Sequence, residues 1–297
     1  MGQTTGIAWT RSTRNFWTGC TKVGPGCDGC YAEAHMRRLK GTNTVTGQAV
    51  MWGPHAPRVD NVAGAVRLIT KWNKLAAWEA RERPERAVDG SDWPRPGFWP
   101  VFINSYSDTF DNEVPARWRD TLFTLIEHSR HLTFQLVTKR AVNVPSMVPS
   151  DWMRDGFPPN VWLLATMVND AELDRDMPKL LQVAPYLKVI GISSEPQIEP
   201  LDSLRPWLKE MNGIGVKKFW GIVGGESGQP DHPARAFDID GAQRFIEDLQ
   251  DYDYTPFMKQ MGSRPVYANG RQVEGITGKG DDPDEWPERL RVQEFPL

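Results

Sequence analysis

Leu187-Lys188-Val189-Ile190-Gly191-Ile192-Ser193-Ser194-Glu195-Pro196 and, further on, Lys218-Phe219-Trp220-Gly221-Ile222-Val223-Gly224-Gly225-Glu226-Ser227 decide the fold. Each is an apolar run without polar alternation that ends abruptly in small residues, a hydroxyl and a carboxylate. A run of this kind is buried on both faces, as parallel strands are. The pattern recurs at Val101-Phe102-Ile103-Asn104, Leu132-Thr133-Phe134-Gln135-Leu136-Val137, Val161-Trp162-Leu163-Leu164-Ala165-Thr166-Met167 and Thr255-Pro256-Phe257-Met258-Lys259-Gln260. Amphipathic helices are predicted between the runs. One covers 115–129, opened by Pro115 with Trp118, Leu122, Leu125 and Ile126 on one face; others lie near 171–184, 202–212 and 240–249. Upstream, Val62, Val66, Ile69, Trp72 and Leu75 recur at helical spacing and predict a helix over 61–82. A short helix is expected over 33–39, and 41–60 and 83–99 read as irregular.

Strands alternating with amphipathic helices give a parallel sheet covered on both faces. The fold class is α/β, a partial or nearly closed (β/α) barrel of six to seven parallel strands, with a doubly wound open sheet as the runner-up. Both place chemistry at the C-terminal ends of the strands. A length of 297 residues sits near the roughly 250 of such a barrel. The expected organisation is a barrel over 1–269, carrying an N-terminal loop, and a tail over 270–297 that packs on it or covers its mouth.

Hydrophobic residues make up 39% and charged residues 25%, a globular balance and not that of a disordered chain. No stretch approaches the roughly 18 apolar residues of a membrane span, and no signal peptide is read at the start, so the expected compartment is the cytoplasm. The net charge of −3 argues against a protein that coats nucleic acid nonspecifically. The charge is uneven: seven Lys/Arg against three acids over 1–60, and eight against fourteen over 230–297. A basic N-terminal face suits an anionic substrate; a solvated surface is the alternative. There is no Gly-x-x-x-x-Gly-Lys-Ser/Thr loop and no Gly-x-Ser-x-Gly elbow.

All three cysteines fall in Thr18-Gly19-Cys20-Thr21-Lys22-Val23-Gly24-Pro25-Gly26-Cys27-Asp28-Gly29-Cys30-Tyr31-Ala32-Glu33. An odd count without a secretion signal argues against a disulfide framework. The glycines and Pro25 let the backbone wrap closely around a bulky inorganic group. Two metal sites suit these donors. A zinc site would take His35 as its fourth ligand. An iron–sulfur cluster held by three thiolates would keep one iron open for a substrate or cofactor.

The same stretch resembles the signature of a phage-associated three-cysteine family. The resemblance continues through 101–108, 134–140, 159–163, Ser194-Glu195-Pro196, 222–227, 257–262 and 284–292. That family resembles the radical S-adenosylmethionine (SAM) superfamily, most closely its spore-photoproduct-lyase-like branch. The resemblance implies a 4Fe–4S cluster on Cys20, Cys27 and Cys30, whose open iron chelates SAM and whose electron yields a 5′-deoxyadenosyl radical. It places Ser105, Ser107 and Asp108 against SAM, Lys139 on its carboxylate and Thr166 in hydrogen bond with it. Here six residues separate the first two cysteines where the common motif has three, and Gly29 stands where an aromatic usually precedes the last cysteine.

The chemistry of the residues runs alongside. Trp9, Trp17, Tyr31 and Trp52 are candidates for apolar cover over a low-potential cluster. Glu195 and Glu226, ending neighbouring strands, suit ribose hydroxyls, a substrate amine or proton relay, with helix capping as the alternative. Lys259 and Gln260 on the last strand, and Arg140 beside Lys139, suit a substrate phosphate or carboxylate. The leading expectation is a radical SAM enzyme, its isomerase, lyase or transferase class undecided. It would act on a nucleic-acid base or nucleotide in a phage context, and a flavodoxin or ferredoxin would supply electrons. The rival expectation is a zinc-stabilised nucleic-acid-binding or adaptor protein without catalysis.

Overall fold

The computed structural model describes residues 5–82, 93 and 97–297; most of the irregular stretch expected over 83–99 lies outside them. The chain enters through β1 (Ser12–Arg14) and β2 (Trp17–Thr18), then the cysteine loop, and leaves it through α1 (Tyr31–Lys40). A short β3 (Val59–Asp60), antiparallel to β2, leads into α2 (Val62–Glu82). From there strand and helix alternate. β4 (Pro100–Ile103), α3 (Ala116–His128) and β5 (Thr133–Thr138) are followed by the single turns α4 (Val144–Met147) and α5 (Trp152–Asp155). Then come β6 (Val161–Thr166), α6 (Asp170–Leu181), β7 (Val189–Ser194), α7 (Leu204–Gly213) and β8 (Phe219–Gly224). A short β9 (Phe237–Asp238) opens α8 (Ile239–Asp251), and β10 (Thr255–Gln260) and a short β11 (Pro265–Val266) complete the order.

The main sheet has seven strands in the order β1-β4-β5-β6-β7-β8-β10, and every pairing in it is parallel. It curls into a partial barrel. The period of two along each strand sorts its side chains. One set, with Leu163, Ile190, Ile192 and Val223, packs outward against the helices. The other set, Trp162, Leu164, Val189, Trp220, Ile222 and Phe257, fills the concave face with Trp9 and Phe98. Gly191 is required where β7 crosses β8, because a Cβ there would run into the Trp220 carbonyl.

The first strand is the polar Ser12-Thr13-Arg14, which no apolar run marks in the sequence, seated against Val101–Ile103 of β4. Inside the fold the Trp99 indole N–H donates to Ser12 Oγ at 3.0 Å. The segment 41–60 is mostly irregular, but β3 ends it and anchors the entry to the cysteine loop.

The last residues cover the free edge of β10. Met258 N–H donates to the Val292 carbonyl at 2.8 Å, and the Trp220 indole donates to the Glu294 carbonyl at 2.9 Å. Phe295 packs on Phe98, Trp220 and Phe257 and closes the barrel floor. Trp286 and Leu290 are buried in the outer core. With the floor sealed, access to the concave face is from the opposite end, where the strands terminate.

Candidate functional site

The cysteine loop lies across that open end. Gly19 opens it at φ 113°, a left-handed conformation favouring glycine, with the Met51 carbonyl in the space a Cβ would take. The Cys20 carbonyl then accepts from Gly53 N–H at 2.9 Å, which ties the first cysteine to the 52–53 strip. Pro25-Gly26-Cys27 make one 3-10 turn, and Cys30 is the N-cap of α1. Gly26 sits against Val168 and the Lys139 stem.

All three thiols line one cavity of about 350 Å³ at the strand ends. The other residues singled out from the sequence line it too: Ser105, Ser107 and Asp108 after β4, Lys139 and Arg140 after β5, Thr166 ending β6, Glu195 after β7, Glu226 after β8, and Lys259 and Gln260 on β10. Ile7, Trp9, Phe102 and Val137 form an apolar wall. Of the aromatics expected as cover, Trp9, Tyr31 and Trp52 line the cavity, whereas Trp17 is buried elsewhere, stacked on Trp118.

The partners of these groups divide them. Asp108 is buried and accepts from Thr138 Oγ1 at 2.8 Å, Lys139 N–H at 3.0 Å and Arg140 Nη1 at 3.1 Å. Ser107 Oγ donates to the Trp17 carbonyl, and Ser105 Oγ accepts from Asn15. Glu195 pairs with Lys259 at 2.9 Å and accepts from the Trp9 indole at 3.2 Å. Gln260 Nε2 donates to the Gly225 carbonyl and Ser227 Oγ. Among the described residues, the Lys139 ammonium has no carboxylate within ion-pair distance. Burial pushes the Cys20 thiol up to about 12, although the nearby Arg140 charge works against it, and burial raises Cys30 as well. A coordinating metal ion works the other way and deprotonates a thiol that binds it.

Sequence reasoning missed Arg235, which belongs to no motif. Its guanidinium grips both Glu226 oxygens, at 2.8 and 2.9 Å, and reaches across to the Pro25 carbonyl at 3.0 Å. Burial opposes the Glu226 charge, but Arg235, helped by His232 at 3.6 Å, holds the carboxyl below its usual range. Arg235 therefore ties Glu226 and the loop after β8 to the cysteine loop, and this engagement of Glu226 differs from the free substrate contact expected from its position. Gly29 faces the same clasp. A Cβ there would collide with Glu226 Oε1 and His232 Cδ2, which accounts for glycine before the last cysteine. Gly29→Val should lower stability by about 1–3 kcal/mol, the cost of overpacking a filled site. Chemical denaturation of wild type and variant checks this.

His35, the fourth ligand of the zinc alternative, lies one turn into α1 with its ring tilted against Tyr106, centroids 5.5 Å apart, and does not line the cavity that the three cysteines share. Among the described residues no three His, Cys, Asp or Glu side chains gather as ligands of a single metal ion. Nor is any described helix long and apolar enough to cross a membrane.

Residues 4–287 match a family described as "Protein of unknown function (DUF5131)". No curated protein matches the sequence. Among solved structures, the chain is similar to a spore photoproduct lyase complexed with dinucleoside spore photoproduct, with TM-score 0.45 and 9% identity over 82% of this chain and 75% of that one. Two point mutants of spore photoproduct lyase give TM-scores of 0.44 and 0.42 at 9% and 10% identity, covering 83% and 82% of this chain and 75% of each of theirs.

Proposed function

The chain belongs to the DUF5131 family, and from its site we propose that it is a radical SAM enzyme acting on a nucleobase or nucleotide. The observation that carries the reading is the cavity itself. Three thiols that do not converge on a single-ion site share one concave wall at the ends of parallel strands, with an ammonium among them that has no acidic partner among the described residues. A 4Fe–4S cluster fits this donor set, because each thiolate binds a separate iron and the sulfurs must stand apart. Cys20, Cys27 and Cys30 would hold it, and the missing fourth thiolate leaves one iron for SAM. When bound, the cluster supplies the electron that cleaves SAM and yields a 5′-deoxyadenosyl radical.

The chain's own residues bind, orient and exclude water. Lys139 receives the SAM carboxylate, since it brings a charge that no neighbouring acid offsets. Thr166 and Ser193, side by side on β6 and β7, add hydroxyls to the same wall. Glu195, its charge held by Lys259 and its orientation by Trp9, offers an acceptor to ribose hydroxyls. Asp108 does not touch SAM; it fixes the backbone of Lys139 and the side chain of Arg140. The apolar wall of Trp9, Phe102 and Val137 suits the flat face of a base, which in a duplex must first be flipped out. Of the bases over 1–60, Arg11 and Arg58 are buried in ion pairs with Glu79 and Asp111, which leaves Arg38 and Lys40 in the last turn of α1 to meet a phosphate backbone in a phage DNA-modifying role, and a flavodoxin or ferredoxin is the electron donor.

Anaerobic reconstitution with iron, sulfide, SAM and a reductant tests the reading, with 5′-deoxyadenosine as the product measured. An intact cluster that yields none defeats it. Lys139→Ala should weaken SAM binding by about 10- to 100-fold, the range for losing one charge-assisted contact of roughly 1.5–3 kcal/mol. Equilibrium binding of SAM to the reconstituted variant reads this out, and an unchanged Kd removes Lys139 from the role.

A further inference from the structure

Arg140 reads from the sequence as an anion contact beside Lys139, but its side chain is committed elsewhere. It is 8% exposed. Nη1 lies 3.6 Å from Cys20 Sγ and 3.1 Å from Asp108 Oδ2. Nη2 donates to the Thr21 carbonyl at 2.6 Å and stands 3.9 Å from Asp111 Oδ1. Asp111 in turn pairs with Arg58 at 2.8 Å. Two guanidinium groups and two carboxylates thus form a buried, charge-balanced network whose one polar contact with a cysteine sulfur is made by Arg140.

The three sulfurs are consequently unlike. Cys30 faces the backbone N–H groups of Ala32 and Glu33 at the start of α1. Cys20 meets a full positive charge, itself backed by the Asp108 carboxylate. Hydrogen bonds and charges at ligand sulfurs set the potential of an iron–sulfur cluster, because the reduced cluster carries one more negative charge. A cation at the sulfur favours the reduced form, and a carboxylate behind it opposes that effect.

We propose that Arg140, with Asp108 as its counterweight, sets the reduction potential of a cluster bound at Cys20, and that neither residue contacts substrate. This rests on the radical SAM reading above. Arg140 is a positioning and electrostatic residue, so its signature is a signed shift in potential.

Wild type, Arg140→Gln, Arg140→Lys and Asp108→Asn are reconstituted anaerobically without SAM. The cluster is then titrated potentiometrically and followed by electron paramagnetic resonance. Arg140→Gln should move the midpoint to more negative potential, Asp108→Asn should move it to more positive potential, and Arg140→Lys should stay near wild type. Loaded variants whose midpoints do not move, or move in the same direction, overturn the assignment while leaving the radical SAM reading standing. A variant that fails to fold leaves the sign to be read from the other one. A wild-type chain that takes up no cluster overturns both.

Discussion

Cys27→Ala should strip the protein of its iron. Cys27 is buried on the 3-10 turn at the middle of the loop, held by its own N–H to the Gly24 carbonyl at 2.9 Å. The described cavity lining contains no further cysteine, and His35 lies outside it, so no neighbouring thiol or imidazole replaces the lost thiolate, and the lining carboxylates Asp108, Glu195 and Glu226 are held by Arg140, Lys259 and Arg235. Bound iron after reconstitution should fall at least about tenfold, the lower end of what even an outer-shell loss costs a metal site. SAM cleavage should fall with it. His35→Ala, by contrast, should keep its full complement, because that ring packs against Tyr106 outside the cavity. Iron and sulfide per chain, measured side by side for the two variants, separate the possibilities. Retained iron in Cys27→Ala together with lost iron in His35→Ala would restore a mononuclear site with a histidine ligand and sink the cluster reading.

The barrel was legible wherever a strand is buried on both faces. β6, β7 and β8 are apolar from end to end because helices cover one side and the Trp162–Trp220 layer fills the other. Their polar C-terminal residues stand out for the same reason: chain leaving a buried sheet meets solvent at the mouth. That contrast is why residues as distant in sequence as Ser105 and Gln260 converge on one cavity. β1 was not legible. Ser12-Thr13-Arg14 carries no apolar run, and its place in the sheet depends on partners such as Trp99 that only the fold supplies. The same holds for Arg235 and for the Arg58–Asp111 pair. A buried ion pair leaves no period in the sequence, and its members read as surface charges until the structure shows what faces them.

Strand position also says where a side chain stands and nothing of whether it is free. Lys139, Arg140 and Lys259 look equivalent as strand-end cations. The structure separates them by what each already holds: no described acid for the first, Asp108 and the Cys20 sulfur for the second, Glu195 for the third. Burial then ranks the chemistry. A cation already balanced by a buried acid gains little from a ligand's carboxylate, because binding would first have to break the existing pair.

Asp111→Ala should be among the most destabilising single changes in the chain. Arg58 is almost wholly buried, and its guanidinium donates to Asp111 Oδ2 at 2.9 Å, the Ala56 carbonyl at 2.8 Å and Thr21 Oγ1 at 2.8 Å, with the Met51 and Gly53 carbonyls at 3.4 Å. One side chain thus gathers the irregular 51–58 strip under the start of the cysteine loop. Without Asp111 its charge faces only neutral acceptors. Removing one partner of a buried pair costs about 3–5 kcal/mol. For a chain of this size that corresponds to a fall in Tm of roughly 10 °C. The double change Arg58→Met with Asp111→Leu should recover most of the loss, because it removes both charges and leaves apolar groups of similar bulk. Calorimetry on Arg58→Met, Asp111→Leu and the double closes the cycle. A loss under about 1 kcal/mol in Asp111→Ala would mean that water or the carbonyls alone support the guanidinium. The strip that positions Cys20 would then owe its shape to Gly19 and the Cys20–Gly53 backbone bond, and not to this ion pair.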